Sequence, residues 1–459
     1  MTAKPLAPRL PGSRSPSPDT PPLTSTLSGW GRAPVVPGVE IRDEDLRALT
    51  KDIPLVRGLG RAYGDAALPA PGDVAIAGST RADRILSFDP TTGILRAEAG
   101  LSLDTICDLF LPRGFFTPIT PGTRFVTLGG MVACDVHGKN HHVDGTLGRH
   151  VGALTIRTGT GHIVTCSPDQ HADLFWATIG GMGLTGAVLD VTVRLTPIPS
   201  PWIFEERECM PDIDTFVTAL KGAQATWPMT AGWIDCLSGG RSMGRGVILR
   251  GRWATADEAP GPFPGGYRRP SVPVDFPEFA LSRPTIRLFN DVFYLKHRRG
   301  SRRVVHPYTF FYPLDAIGRW TRMYGTRGFT QYQCVLPEAA GPDAPRRFLT
   351  ALTSRGGASF LCVIKDCGAE GQGLLSFPRP GISIALDIPM RDHTQALIDA
   401  LNEQVLREGG RIYLAKDALS RAEHYRAMDP RVGHFLDVRR HWDPDGRVRS
   451  AQSARLFGW

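Results

Sequence analysis

Three glycine-rich stretches within the first 190 residues constrain this chain more than any other feature of it. They read RGLGRAYGD at 57–65, PGTRFVTLGG at 121–130 and GGMGLTG at 180–186. Small residues let the backbone approach a ligand closely, and the exposed N–H groups can then hold phosphate or carbonyl oxygens. One such stretch alone would fit a tight turn between a strand and a short helix equally well. Three of them favour a site that several loops build together.

The segments between these stretches predict short strands joined by hairpin turns. Alternating or apolar runs predict strands within 73–100 and at 153–158, 162–167 and 186–197, and helical spacing predicts a helix over 102–112 that Ser102 caps. None of the glycine stretches joins a strand to a helix in a parallel βαβ unit, so none is a Rossmann fingerprint. The pattern is α+β. A site in which several loops converge on one long anionic ligand fits FAD better than it fits a nucleotide that a single loop binds.

The segment PIPSP at 197–201 predicts a domain boundary. After it we expect an irregular, Gly- and Pro-rich segment up to about residue 290. Strands are predicted at 329–337, 359–366 and 382–389. An amphipathic helix is predicted over 393–410, followed by a strand or turn at 411–417. The fold class is therefore α+β with two domains. The predicted parts are a disordered Pro/Ser-rich tail (1–27), an FAD-binding domain (28–199), a substrate domain on an antiparallel sheet (200–409) and a C-terminal segment (410–459) that returns to the FAD domain and is mostly helical and basic over 418–459.

Composition excludes several classes of protein. No apolar run is long enough for a transmembrane helix, and the N-terminus lacks the apolar core of a signal peptide. We expect a cytoplasmic protein or one peripheral to the inner membrane. The eight cysteines show no zinc spacing, so no metal site is predicted. The net charge of +8 comes without a basic-aromatic motif for nucleic acid. The basic runs at 296–303 and 439–440 favour an anionic membrane surface, an anionic substrate or solubility.

Longer motifs give a specific resemblance. RGLGRAYGDAAL, PGTRFVTLGGMVACDVHGKNHHVDGTLGRHV and DLFWATIGGMGLTGAVLDVTVRLTP are similar to vanillyl-alcohol-oxidase-type flavoproteins with a PCMH-type FAD domain. Among these, the chain resembles the decaprenylphosphoryl-ribose 2′-oxidases, from about residue 28 to the C-terminus and in the same order. The segment HGKNHH at 137–142 is the most discriminating part. The resemblance implies an FAD-dependent oxidoreductase that acts on CH–OH groups in arabinan biosynthesis for the cell envelope.

The resemblance also implies which residues contact FAD. They lie in the first two glycine loops and at two later positions: Val56, Arg57, Gly58, Leu59, Gly60, Arg61, Ala62, Tyr63, Gly64, Asp65, Ala66, Gly122, Thr127, Leu128, Gly129, Gly130, Cys134, Asp135, Val136, His137, Val188 and Tyr413. It assigns Lys416, His137 and Tyr63 to catalysis.

Strand periodicity gives an independent view of the substrate side. Ser383, Ala385 and Asp387 alternate with the apolar residues of 382–388, Gln331 and Gln333 share a face, and Lys365 lies on an alternating strand. A lysine on such a strand is exposed at the sheet surface about as often as it faces a ligand. If the three faces meet, they offer amides and an ammonium group to a phosphorylated sugar. The resemblance assigns Gln333, Lys365 and Lys416 to the pocket and puts Ser383 and Ala385 beside them, so it implies substrate contacts from Gln333, Lys365, Ser383, Ala385 and Lys416.

Two departures from related enzymes are informative. Alditol and aldonolactone oxidases carry a flavin-linking histidine in the first loop, where this chain has Arg61. We therefore expect non-covalent FAD. Ala385 replaces the cysteine that nitroaromatic inhibitors modify in the mycobacterial enzymes, and Ser383 replaces an asparagine.

The sequence therefore predicts oxidation of the 2-hydroxyl of a polyprenylphosphoryl-β-D-ribose to a 2-keto sugar, the first half of its epimerisation to the arabinose donor. An NADH-dependent short-chain reductase would act next. The alternative on the same fold is an aldonolactone or alditol oxidase, such as a D-arabinono-1,4-lactone oxidase. An alternative of another class is a basic scaffold or nucleic-acid-binding protein with a degenerate flavin site, which the intact glycine loops disfavour.

Overall fold

The computed structural model describes residues 25–266 and 269–459. The predicted N-terminal tail lies, up to residue 24, outside the described residues. Thr26–Ser28 is a strand that pairs antiparallel with Val35–Pro37, so regular structure begins at the end of the segment predicted as a tail. In the described part of the chain, no helix is both long and apolar enough to cross a membrane.

Strands and helices are interspersed along the described residues. In chain order the strands are β1 Thr26–Ser28, β2 Val35–Pro37, β3 Val39–Arg42, β4 Val56–Arg57, β5 Ala75–Gly78, β6 Ile85–Asp89, β7 Ile94–Glu98, β8 Phe115–Phe116, β9 Val151–Thr158, β10 Ile163–Cys166, β11 Gly186–Arg194, β12 Thr196–Pro197, β13 Ile203–Met210, β14 Met229–Ile234, β15 Gly246–Trp253, β16 Ser301–Val305, β17 Phe329–Pro337, β18 Cys362–Cys367, β19 Gly381–Pro389 and β20 Arg411–Ile412. The α-helices are α1 Leu46–Leu49, α2 Leu103–Phe110, α3 Leu128–Ala133, α4 His141–Asp144, α5 Ala172–Thr178, α6 Ile213–Ala223, α7 Arg283–Lys296, α8 Pro307–Phe311, α9 Ala344–Ser354, α10 Thr394–Arg407, α11 Ala422–Met428, α12 Val432–Trp442 and α13 Ala451–Phe457.

Two sheets form the N-terminal part of the protein. The first is a short parallel sheet in the order β3-β5-β4, and the second is antiparallel in the order β10-β9-β11-β7-β6. The hairpin and strand predictions for this region are confirmed. The helix predicted over 102–112 is α2, and the Ser102 hydroxyl accepts a hydrogen bond from the Thr105 N–H at 3.0 Å. The strand β4 runs into the first glycine stretch, and no helix follows that stretch, as expected for a loop that is not a Rossmann turn.

The second half is built on one antiparallel sheet of eight strands in the order β16-β13-β15-β14-β18-β19-β17-β20. The prediction of an irregular segment from about 200 to 290 is wrong, because β13, α6, β14, β15 and α7 lie within it. Charged residues of β13 explain the error. Glu205 is fully buried, and its carboxylate pairs with Arg207 of the same strand and Arg303 of β16, so this polar sequence sits inside the sheet.

The C-terminal segment contacts both parts of the molecule. β20 pairs with β17 at the edge of the large sheet, while the indole N–H of Trp442 donates to the Asp173 carboxylate in the N-terminal part at 2.9 Å. Arg455 of α13 pairs with Asp65 at 2.7 Å and with Asp417 at 2.9 Å. The mostly helical character predicted for 418–459 is confirmed by α11, α12 and α13. The domain boundaries themselves stay a prediction.

Candidate active site

The three glycine-rich stretches meet around α3. A Cβ on Gly58 would lie 2.2 Å from the Thr127 hydroxyl oxygen, so the first stretch contacts the second with no room for a side chain. The third stretch closes on the far end of α3, because the Met182 N–H donates to the Ala133 carbonyl at 2.8 Å. Thr127 caps the helix by accepting a hydrogen bond from the Gly130 N–H at 3.3 Å. The loops that the sequence predicted to converge therefore do so.

Residues 413–417 complete this cluster of loops. The Tyr63 N–H donates to the Ala415 carbonyl at 2.9 Å, and the Tyr413 hydroxyl donates to the Cys134 carbonyl at 2.9 Å. Gly64 packs so closely that a Cβ would lie 2.0 Å from the Asp417 carbonyl oxygen. The turn after β20 thus bridges the first and second glycine stretches and brings Lys416 beside Tyr63.

The register of the large sheet places the predicted substrate residues on one face. Gln333 of β17 lies opposite Ala385 of β19, and Ser383 of β19 lies opposite Lys365 of β18. Cross-strand neighbours in register point to the same side of a sheet. The three strand faces, whose meeting the sequence left as a condition, therefore do meet, and their contact with a substrate stays a prediction. Val363, opposite Ala385, supplies the apolar part of this face.

His137 joins this polar face to the second glycine stretch. The Gln333 side-chain N–H donates to His137 Nε2 at 3.0 Å and to the Ser383 hydroxyl at 3.1 Å. His137 is buried, and burial, reinforced by the nearby Lys365 ammonium, lowers its pKa well below the usual range. The ring is therefore neutral and, because Nε2 accepts, carries its proton on Nδ1. Nδ1 has no hydrogen-bond partner among the described residues.

Lys416 lies directly over the ring of Tyr63. Its Nζ is 4.0 Å from the ring centre, and Tyr63 in turn packs edge-on against Phe329 at 5.6 Å. Burial lowers the pKa of Lys416 to about 7, and the neighbouring Lys365 acts in the same direction while the carboxylate of Asp387 opposes both. A lysine with this pKa exists near neutrality in both protonation states, which suits proton transfer.

The comparison with known proteins decides the family. The FAD binding domain family matches residues 47–167. Decaprenylphosphoryl-β-D-ribose oxidase of Mycolicibacterium smegmatis is 35% identical over 456 residues, which cover 95% of this chain and 98% of that protein. The chain belongs to the decaprenylphosphoryl-β-D-ribose oxidase family. It is an FAD-dependent oxidoreductase with a mixed α+β fold.

Other relatives agree with this assignment. An uncharacterised protein of Streptomyces coelicolor is 31% identical over 78% of this chain and all of its own length. A D-arabinono-1,4-lactone oxidase of Yarrowia lipolytica is 25% identical, over only 25% of this chain and 22% of its own length. The similarity to lactone oxidases is thus confined to part of the chain, whereas similarity to the decaprenylphosphoryl-β-D-ribose oxidase family extends through both halves.

The loops around α3 fit the FAD of this family. A Cβ on Gly122 or Gly183 would enter open space, and a Cβ on Gly130 would meet only the Thr127 hydroxyl at 3.1 Å. Residues 56–62 and 129–130 are half-buried, so part of each remains accessible to a ligand. Nδ1 of His137 is buried without a hydrogen-bond partner among the described residues, as expected of a polar atom whose partner is a bound ligand. Accessible backbone N–H groups beside buried polar side chains can bind a long dinucleotide.

Several of the predicted cofactor residues already have structural partners. Arg57 donates to the carbonyls of Ser28 and Ala67, and the Asp65 carboxylate is occupied by Arg455. Asp135 accepts from the Gly148 N–H at 2.8 Å and from the Ser376 hydroxyl. These residues hold the loops in shape, so we expect their backbone to face the cofactor. Val188 lies in the buried cluster that includes Leu128 and Val136.

Arg61 occupies the position of the flavin-linking histidine found in related oxidases. Its guanidinium stacks on Trp30 with 3.9 Å to the ring centre and donates to the Leu59 carbonyl at 3.0 Å. The loop from Val56 to Ala66 contains no histidine. Non-covalent attachment of FAD stays a prediction that this loop favours.

Sequence reasoning gave no role to Asp387, which is a central residue of the site. Its carboxylate is fully buried and accepts hydrogen bonds from the Gln331 amide and from the Tyr324 hydroxyl, the latter at 2.7 Å. Burial raises its pKa to about 6, against the effect of these bonds and of Lys416. Its position on the same strand face as Ser383 was visible in the sequence, but an acid next to Lys416 was not.

Lys139 was also missed, although it lies within the HGKNHH motif. Its Nζ donates to the Phe311 carbonyl at 3.1 Å, and burial, with Lys365 nearby, lowers its pKa to about 7. Lys365 also has a pKa below the usual range, because of burial. Within the described residues, none of Lys139, Lys365 and Lys416 has a carboxylate at ion-pair distance. The site therefore concentrates three buried lysines, each with a lowered pKa and none in a direct ion pair with a carboxylate of the described residues.

Proposed function

We propose that this protein oxidises the 2-hydroxyl of a polyprenylphosphoryl-β-D-ribose to the 2-keto sugar. The observation that carries the proposal is the group of Lys139, Lys365 and Lys416, which has no carboxylate ion-pair partner within the described residues. Such a group is costly unless an anion joins it, and a phosphodiester supplies that anion. The relative's name specifies a decaprenylphosphoryl ribose, which has both the sugar and the phosphate.

Different residues of the polar face bind different parts of the substrate. Lys139 and Lys365 bind the phosphate, which restores their protonated state because a neighbouring anion raises a lysine pKa. Gln333 and Ser383 bind sugar hydroxyls, and the Nδ1–H of His137 donates to a substrate oxygen. The loops around α3 would hold FAD, which would supply the hydride acceptor for the carbon that carries the hydroxyl. Lys416, in its neutral form, takes the proton of that hydroxyl.

The keto product requires a second enzyme. Epimerisation to arabinose is completed only when the ketone is reduced from the opposite face, so we propose an NADH-dependent short-chain reductase as the functional partner. We also propose peripheral contact with a membrane, because the substrate carries a polyprenyl chain that resides in a bilayer.

The test is anaerobic bleaching of the flavin absorbance after substrate is mixed with the purified holoprotein. We expect polyprenylphosphoryl ribose to bleach the flavin and free aldono-1,4-lactones or alditols to leave it oxidised. Bleaching by a lactone at a comparable rate would instead support the aldonolactone oxidase alternative. Lys365→Met should raise the KM for the phosphorylated substrate at least about tenfold, in line with the loss of a charged hydrogen bond. Lys51→Met, at an exposed lysine outside the site, is the matched control.

A further inference from the structure

Helix α7 presents a water-facing apolar stripe. Leu288, Val292 and Leu295 are 65%, 57% and 60% exposed, and their spacing of four and three residues places them on one side of the helix. Phe289, which is 46% exposed, widens the stripe. We call these four residues the apolar stripe. Scattered apolar residues are normal on a protein surface, but four on one helix face indicate a contact with another body.

The opposite side of α7 already holds the helix on the protein. Asn290 is fully buried and donates to the Asp235 carboxylate at 2.7 Å, and Phe293 packs on Trp233 with 4.6 Å between ring centres. Asp291 pairs with Arg245. Because these contacts fix the helix from its inner side, the apolar stripe is not needed to hold α7 in place.

Exposed cations flank the apolar stripe. Arg287 and Lys296 lie on α7, and Arg298 and Arg299 follow directly after it. Within the described residues, none of these four has an ion-pair partner. Asp291, the one acidic residue of the helix, is occupied by Arg245. The surface around the stripe therefore carries positive charge that the protein does not neutralise.

We propose that the apolar stripe and the basic residues 296–299 dock on a bilayer surface that contains anionic lipids. An amphipathic helix with Leu and Phe on one face and Lys and Arg at its borders lies in the headgroup region, where the apolar side chains insert and the cations reach lipid phosphates. Cationic residues close to an anionic leaflet add to this attraction. We favour a bilayer over a protein partner because unpaired cations border an apolar stripe on a single helix, which is the pattern of an interfacial amphipathic helix.

The docking surface adjoins the catalytic pocket. Phe289 of the stripe contacts Phe360 with 5.5 Å between ring centres, and Phe360 stacks on Tyr324 at 5.6 Å. The Tyr324 hydroxyl donates to Asp387 in the pocket at 2.7 Å. This part of the inference rests on the proposed function: a lipid-linked sugar phosphate could enter the pocket while its polyprenyl chain stays in the bilayer.

The test is flotation of the holoprotein with lipid vesicles. Wild type is compared with Leu288→Gln/Val292→Gln/Leu295→Gln and with a control, Val74→Gln/Leu86→Gln/Ile163→Gln, at exposed apolar positions elsewhere. We expect wild type and control to float with vesicles of phosphatidylcholine and phosphatidylglycerol, and the stripe variant to bind at least about tenfold more weakly. Arg298→Gln/Arg299→Gln should weaken binding and reduce its salt dependence.

Several outcomes would overturn the proposal. The first is that the wild type does not bind anionic vesicles. The second is that the wild type binds pure phosphatidylcholine vesicles as well as anionic ones. The third is that the stripe variant floats to the same extent as the wild type. A wild-type dimer that the stripe variant abolishes, without vesicle binding, would assign the stripe to self-association instead. Unchanged FAD content and melting temperature verify that the stripe variant is folded. Failure of the proposed function would appear separately, as absent flavin bleaching by detergent-solubilised polyprenylphosphoryl ribose, with vesicle binding unaffected.

Discussion

The side-chain amide of Gln333 lies 3.0 Å from His137 Nε2 and donates a hydrogen bond to it, which joins the large sheet to the second glycine stretch across 196 positions of the chain. This bond fixes the tautomer of the histidine, because a ring nitrogen that accepts cannot also carry the proton. The remaining N–H, on Nδ1, is buried and has no hydrogen-bond partner among the described residues.

We expect Gln333→Leu to keep FAD and to slow flavin reduction. Without the amide, the buried His137 can adopt either tautomer, and the fraction with Nδ1–H falls. A loss of about tenfold or more in the rate of anaerobic bleaching is the expected size for one orienting hydrogen bond in an active site. Gln170→Leu, at an exposed glutamine outside the site, is the control. An unchanged bleaching rate would show that the tautomer of His137 does not matter.

Lys416→Ala should leave FAD bound and nearly stop catalysis. The phosphate-holding loops lie around α3 and do not depend on the lysine side chain, whereas the proton acceptor is lost. Flavin reduction by substrate should fall by at least about a hundredfold, the range for loss of a general base. Stopped-flow absorbance measures it, with Lys51→Ala as the matched control. Near wild-type bleaching with full FAD content would remove Lys416 from the mechanism and leave His137 and Tyr63 as candidates.

The pH dependence of flavin reduction should report the pair of Lys416 and Asp387. Since Lys416 acts as a base only when neutral, the rate at saturating substrate should rise with pH through a midpoint near its pKa of about 7. The Asp387 charge raises that pKa, so Asp387→Asn should move the midpoint to lower pH. Asp392→Asn, on an exposed aspartate, should leave it unchanged. A midpoint that stays in place in Asp387→Asn would contradict the coupling.

Gly130→Val should weaken FAD binding with little effect on the apoprotein. A side chain there meets only the Thr127 hydroxyl at 3.1 Å within the protein, so its branches would fill cofactor space. Equilibrium flavin titration measures the affinity, and the melting temperature of the apoprotein measures stability. Gly222→Val is the control, because Gly222 lies in α6 and a Cβ there would meet no other atom. The change in melting temperature of this variant measures the effect of valine on helix stability alone. Full flavin occupancy in Gly130→Val would place this loop away from the cofactor.

Denaturation by acid or heat should release all of the flavin into the supernatant. Arg61 cannot form the bond that a histidine makes at this position in related oxidases. Flavin fluorescence that stays with the protein band on a denaturing gel would refute this expectation.

The sequence predicted those features that depend on local pattern. Alternation alone placed Gln333, Lys365 and Ser383 on strand faces, and the glycine stretches marked the loops that converge. The sequence alone does not show which residues from distant segments form hydrogen bonds or ion pairs with each other. Glu205 looks like a surface residue until its cross-strand arginine partners are known, so β13 was missed. Helix α7 was missed because apolar residues on its outer side obscure the usual amphipathic pattern.

The same limit explains the two missed residues of the site. Lys139 lies among histidines in a segment that predicts a loop, and Asp387 is the one ionisable residue of a segment that predicts a strand. Their low solvation and their neighbours shift their pKa values, and both depend on contacts with distant parts of the chain, such as Phe311 and Tyr324. Periodicity contains no information on such contacts.

Arg455 holds Asp65 and Asp417 at once, and it follows Asp65 by 390 positions of the chain. During synthesis the loop around Asp65 therefore leaves the ribosome long before the arginine that pairs with it. The two loops can be held together only after helix α13 has been made, so we expect the cofactor site to form late in folding. A protein without α13 would lack this double ion pair, and we expect it to be purified with little flavin.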